Sequence, residues 1–161
     1  MGMGAQSWGD PMVGSSENML RVVFLNIGGF TLDSKDVKNK RIFEFLRVTK
    51  ADVAGLPECI NWKSLDIQDR LPSHTRGWFK GLHMNMEHFK EFHPTSANVK
   101  SQVGGISLWA IDSAFHQVAE TGRDPLGMGR WVWTRLQGRG EVAIRIITVY
   151  WSVLNSAGPL S

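Results

Sequence analysis

Two short apolar runs in this chain end in polar residues of a kind that does chemistry. Leu20-Arg21-Val22-Val23-Phe24-Leu25 leads into Asn26, and Asp52-Val53-Ala54-Gly55-Leu56-Pro57 leads into Glu58. A carboxylate can anchor a hard divalent cation whose remaining positions are filled by waters and substrate oxygens, and an amide can orient a phosphate or a bound water. Strand ends of this sort commonly form sites in folds that mix helices with sheets. Position alone also admits a plainer reading, in which Asn26 makes a turn before Gly28-Gly29 and Glu58 faces solvent.

Other reactive residue types point nowhere as specific. His83, His88 and His93 are five apart, which turns successive imidazoles by about 140° on a helix and denies them the shared face of a zinc pair. Cys59 has no basic neighbour to depress its pKa and reads as an inert buried thiol. Trp131 and Trp133 alternate on one strand face beside Arg130 and Arg135, and aromatics with cations can stack bases. Packing in a sheet is the better account of them, because Trp109 and Trp151 fall in equally apolar runs.

The elements that must position Asn26 and Glu58 are legible on either side of them. Val37, Ile42, Phe45, Leu46 and Val48 approximate a 3.6-residue period among Lys and Arg, which predicts an amphipathic helix over 35–49 with Asp33 or Ser34 as its cap. Strand, helix, strand in that order implies a parallel pair joined by a helical crossover, so that Asn26 and Glu58 end neighbouring strands. Pro57 is expected to stop the second strand just before Glu58. Between Trp62 and Asn98 the pattern weakens, and a short helix near Met84–Phe92 is expected between loops containing Pro72 and Pro94. Gly104–Ile111, Phe115–Ala119, Trp131–Leu136 and Val142–Tyr150 read as four more strands, with Gln137-Gly138-Arg139-Gly140-Glu141 as a hairpin connector. The fold class expected is α/β (α+β): a mixed, mainly antiparallel sheet with flanking helices.

Bulk properties bound the function. The 161 residues suit one domain, and 42% hydrophobic with 20% charged residues excludes wholesale disorder. No apolar run approaches the ~18 residues of a membrane-spanning helix. One cysteine excludes a disulfide scaffold or a cysteine-rich zinc site and favours a reducing, intracellular compartment, nucleus or cytoplasm. Residues 1–19 lack the apolar core of a secretory signal and read as a flexible leader. A net charge of +3 and a pI near 9.2 permit contact with a polyanion without requiring it.

Taken together, Leu25-Asn26-Ile27-Gly28-Gly29-Phe30, Lys50 through Glu58, Gly104-Gly105-Ile106-Ser107-Leu108, Gly129-Arg130 and Thr148-Val149-Tyr150 resemble, in order and spacing, the opening motifs of the endonuclease/exonuclease/phosphatase family. The resemblance spans 20–155 and is closest to the apurinic/apyrimidinic-type endonuclease domains of non-long-terminal-repeat retroelements. It implies part of a two-sheet αββα sandwich in which Glu58 binds the catalytic Mg2+ or Mn2+. Asn26 would then orient the scissile phosphate or a metal-bound water, Tyr150 would hydrogen-bond a phosphate oxygen, and Arg130 would contact the substrate backbone. Nucleic acid, with DNA foremost, is the implied partner. The chain departs from the pattern at Pro57, where the family has glutamine, at Gly28, where some members have an acidic residue, and at Ser152, where a proline is expected. The family's Gly-Asp-x-Asn motif, its later aspartate and its closing Ser-Asp-His do not appear before Ser161, and 156–161 read as a truncated end. On this reading the chain alone is expected to be inactive and to leave a sheet face bare for self-association. The alternatives are a non-catalytic nucleic-acid-binding module and a degenerate fragment without function.

Overall fold

The computed structural model describes residues 19–30, 37–61, 67–87, 103–127 and 129–150. The expected leader, the helix caps at Asp33 and Ser34, Ser152 and the expected C-terminal end 156–161 lie outside the described residues.

β1 (Val22–Phe24) runs parallel to β2 (Val53–Asn61), with Val22 opposite Val53 and Phe24 opposite Gly55. α1 (Val37–Val48) makes the crossover and buries Asn39, Ile42, Phe43 and Leu46; of the apolar stripe expected from the sequence, Ile42 and Leu46 are buried, while Val37, Phe45 and Val48 are exposed. α2 follows over Ile67–Thr75, with Pro72 in its interior. The sequence placed Pro72 in a loop, and the helix tolerates it by forgoing one backbone hydrogen bond.

β3 (Leu82–Glu87) corrects the helix expected near Met84–Phe92; residues 88–92 lie outside the described set. Leu82, Met84 and Met86 pack on one face with the α1-side core. On the other face Asn85 donates to Gly122 O at 3.0 Å and to Trp133 O at 2.9 Å, and Glu87 pairs with Arg123 at 3.2 Å. Pairing of β3 along its whole length with β4 outweighs the helical preference of Met and Glu.

β4 (Val103–Ile111) is antiparallel to both β2 and β3, giving the sheet order β1-β2-β4-β3. A 3-10 turn over Asp112–Gln117 then carries the chain to a second, antiparallel sheet of β5 (Val118–Arg123), β6 (Trp131–Gln137) and β7 (Ala143–Val149). The strand expected over Phe115–Ala119 therefore begins three residues late. The hairpin after Gln137 forms as expected, closed by Gly138 N–H donating to Val142 O at 2.8 Å.

The α+β class stands, with two sheets rather than one. Trp109 and Ile111 of β4 face the helices, while Ile106, Leu108 and Ala110 face Val132, Leu136 and Ile146 of the second sheet. This double-sided apolar strand makes three layers: helices, first sheet, second sheet. The face of the first sheet expected to be bare is thus covered. Among the described residues, nothing covers the outer side of the second sheet at Ile147 and Val149, which are exposed.

The two sheets approach closely at Gly55. A Cβ there would lie 2.4 Å from the Phe24 ring and 2.6 Å from Thr148 Oγ1. Gly55→Ala is therefore expected to lower stability by about 1–3 kcal/mol through overpacking, read as a lower urea midpoint at constant slope. An unchanged midpoint would mean that the sheets do not meet there.

Candidate functional site

β2 does not stop at Pro57. Pro57 pairs with Ile106 and Ile60 with Gly104, so Glu58 and Cys59 together oppose Gly105 in a bulge. Glu58 adopts φ +52° and Gly105 φ +76°. A bulge bends its strand and re-aims a side chain, and a left-handed glutamate costs on the order of 1–3 kcal/mol unless its surroundings hold it. The neighbouring Cys59 is buried in the helix-side core, and its carbonyl accepts Phe30 N–H at 2.9 Å. Pro57, read from sequence as a stop, is the last residue before the bulge.

The bulge presents Glu58 to the second sheet. The Tyr150 hydroxyl donates a hydrogen bond to Glu58 Oε1 across 92 residues of sequence. Tyr150 follows β7 directly, its backbone N–H donates to Arg130 O at 2.8 Å, and its ring packs against the core between the sheets. Arg130 itself is exposed, and its side chain has no partner among the described residues. The hydrogen bond to Glu58, followed by burial and the carboxylate's charge, pushes the Tyr150 phenol above its ordinary value of 10.0.

Asn26 ends β1 beside this bulge. The backbone ties run in register: Leu25 N–H donates to Gly55 O at 3.0 Å, and Phe30 N–H reaches Cys59 O. Asn26 Oδ1 accepts Gly28 N–H at 3.1 Å, which commits the oxygen to the turn and leaves the amide nitrogen as the exposed end. Lys38 of α1 clamps the same turn, donating to Gly28 O at 3.1 Å and Gly29 O at 2.8 Å. Lys38 is the contributor that sequence reading missed; its only signal was its place in the first turn of the helix after Gly28-Gly29.

The structure therefore joins Glu58 and Tyr150 directly, sets Arg130 beside Tyr150 through the backbone, and places Asn26 on the adjacent strand end. The oxygens on offer are the Glu58 carboxylate and the Tyr150 phenol, which fit a hard cation better than zinc. Among the described residues no group of three His, Cys, Asp or Glu forms a metal cage, so an ion here would keep waters and depend on substrate oxygens.

The alternatives fare as their chemistry suggests. His83 is half-buried on β3 with its imidazole pushed below the usual value by burial, while His88 and His93 lie outside the described residues. Burial pushes the Cys59 thiol far up, in keeping with an inert thiol. Trp131 and Trp133 share the outer face of the second sheet. Trp133 is already covered there: Arg145 sits 4.3 Å from its ring centre, and its indole crosses Gly122. Arg145 and Arg135 pair with Glu120 at 3.9 and 3.7 Å.

Compared with known proteins, the chain matches no protein-family model and no curated sequence.

Tyr150 is the one tyrosine of the chain, so its ionisation is readable by absorbance near the tyrosinate band without assignment. It is expected to titrate above 10.0, and Glu58→Gln is expected to move the midpoint down toward that value. The raised pKa favours the protonated, folded form. Its contribution to stability is present below the unfolded pKa of about 10 and is lost as pH rises through the folded value. An identical midpoint in both proteins would dissolve the pairing.

Proposed function

We propose that the chain carries the metal-anchoring and phosphate-contacting part of a phosphodiesterase site of the endonuclease/exonuclease/phosphatase type, with nucleic acid as the substrate class. The observation that carries this reading is the Tyr150–Glu58 hydrogen bond, which brings residues from different sheets together beside the strand end that bears Asn26. Three short motifs chosen for their chemistry thus converge on one end of the fold.

In this reading Glu58 anchors Mg2+ or Mn2+ through its carboxylate. The bound cation supplies polarisation of a phosphoryl oxygen and neutralises charge that builds there. The protein's own groups bind and orient. The Tyr150 hydroxyl passes from Glu58 to a phosphate oxygen once the carboxylate is engaged, the Asn26 amide nitrogen donates to a second oxygen, and Arg130 holds the flanking backbone. None of these four residues is suited to take a proton from water, and general-base assistance is typically worth ~10²–10⁴-fold. The chain alone is therefore expected to bind substrate and metal with little or no turnover.

The test is thermal unfolding with added Mg2+ or Mn2+. A cation that binds only the folded chain stabilises it by about 2.7 kcal/mol at a hundred times its Kd. The parent chain is expected to melt higher with metal, and Glu58→Ala is expected to show no rise. Equal behaviour of the two proteins would remove Glu58 as the anchor.

A further inference from the structure

Beside the Asn26 turn, α1 and the end of β1 line an open cleft of about 450 Å3 whose lining includes Asn26, Ile27, Lys38, Arg41 and Phe45. Lys38, Arg41 and Phe45 recur at helical spacing, so one stripe of α1 forms this wall while the adjacent stripe is buried in the core. The cleft joins two unlike surfaces. Its floor is apolar, and Phe45 on its rim is 44% exposed. Its polar groups are donors: Arg41 is exposed and has no hydrogen-bond or ion-pair partner among the described residues, and the Asn26 amide presents its nitrogen. Among the described residues no carboxylate lines it.

A cation with no counter-charge among the described residues, beside an apolar floor, matches a ligand that offers an anion and a flat apolar ring in each repeat, which is the chemistry of single-stranded nucleic acid. We propose that this cleft holds a nucleotide of a single strand, adjacent to the phosphodiester at Glu58, with its phosphate on Arg41 and its base against Phe45. The proposal rests on the phosphodiesterase reading of the Glu58 site and extends it along the strand. Lys38 acts here as a positioning residue, because its ammonium is already engaged with the Gly28 and Gly29 carbonyls.

Fluorescence anisotropy with a labelled oligothymidylate of about ten nucleotides, in EDTA, tests the cleft without metal. Arg41→Gln is expected to weaken binding about fivefold or more and to flatten the log–log salt dependence by ~0.7, one single-strand phosphate. Phe45→Ala should weaken binding to the oligothymidylate by a similar factor while leaving affinity for an abasic strand of equal length unchanged. Arg139→Gln, on the exposed β6–β7 turn, should bind as the parent does. Parent-like binding by Arg41→Gln, or no binding by the parent chain, would overturn the proposal. Because EDTA removes any contribution of metal at Glu58, retained Arg41-dependent binding in a chain that fails the metal melting test would reject the Glu58 reading alone. A metal response without Arg41-dependent binding would reject the cleft alone.

Discussion

The fold turns on the absence of a side chain at Gly55. Phe24 from the neighbouring strand and Thr148 from the other sheet both occupy space that a Cβ would need. Sheets packed face to face ordinarily stand about 10 Å apart; at this glycine the second sheet comes in against the backbone of β2. Because Thr148 lies two residues before Tyr150, that approach also brings the phenol within reach of Glu58. The site is therefore a consequence of how tightly the layers pack.

The interface that results is not purely hydrophobic. Val53, Ile106, Leu108, Val132, Leu136 and Ile146 form its core. Asn85 crosses it to two carbonyls of the second sheet, and Glu87 reaches Arg123. The buried hydroxyls of Thr134 and Thr148 find no partner among the described residues, a burden of on the order of 1–3 kcal/mol for each unsatisfied group. Asn85 helps set the alignment of the sheets, since its one amide must meet Gly122 O and Trp133 O at once. Apolar burial supplies the attraction, and the polar contacts restrict which arrangement satisfies them.

Glu58 illustrates how a fold spends strain near a candidate site. Its positive φ is sustained by a bulge that opposes two residues of β2 to Gly105, whose own positive φ carries no side-chain penalty. The hydrogen bond from Tyr150 and the tie between Cys59 O and Phe30 N–H hold the bulge from both sides. On the next strand Asn26 is held in the same way, by its own turn and by Lys38. Two side chains, one in the β2 bulge and one just beyond β1, are thereby oriented by separate local devices.

What the sequence determined by itself was local and periodic. The spacing of Ile42, Phe45 and Leu46 specified a helix, the β-branched runs specified strands, and their order specified a parallel pair. These follow from side-chain geometry within a few residues, so one chain segment suffices to read them. Tertiary structure decided the rest. Met84 and Glu87 became strand residues because β4 offered a partner along their whole length, Pro57 became the approach to a bulge because Gly105 could yield opposite it, and one expected sheet became two because the 3-10 turn at Asp112–Gln117 lifts the chain across the core. The pairing of Glu58 with Tyr150 belongs to the same class: 92 residues separate them, and no local preference encodes a contact that exists only once the two layers have closed over Gly55.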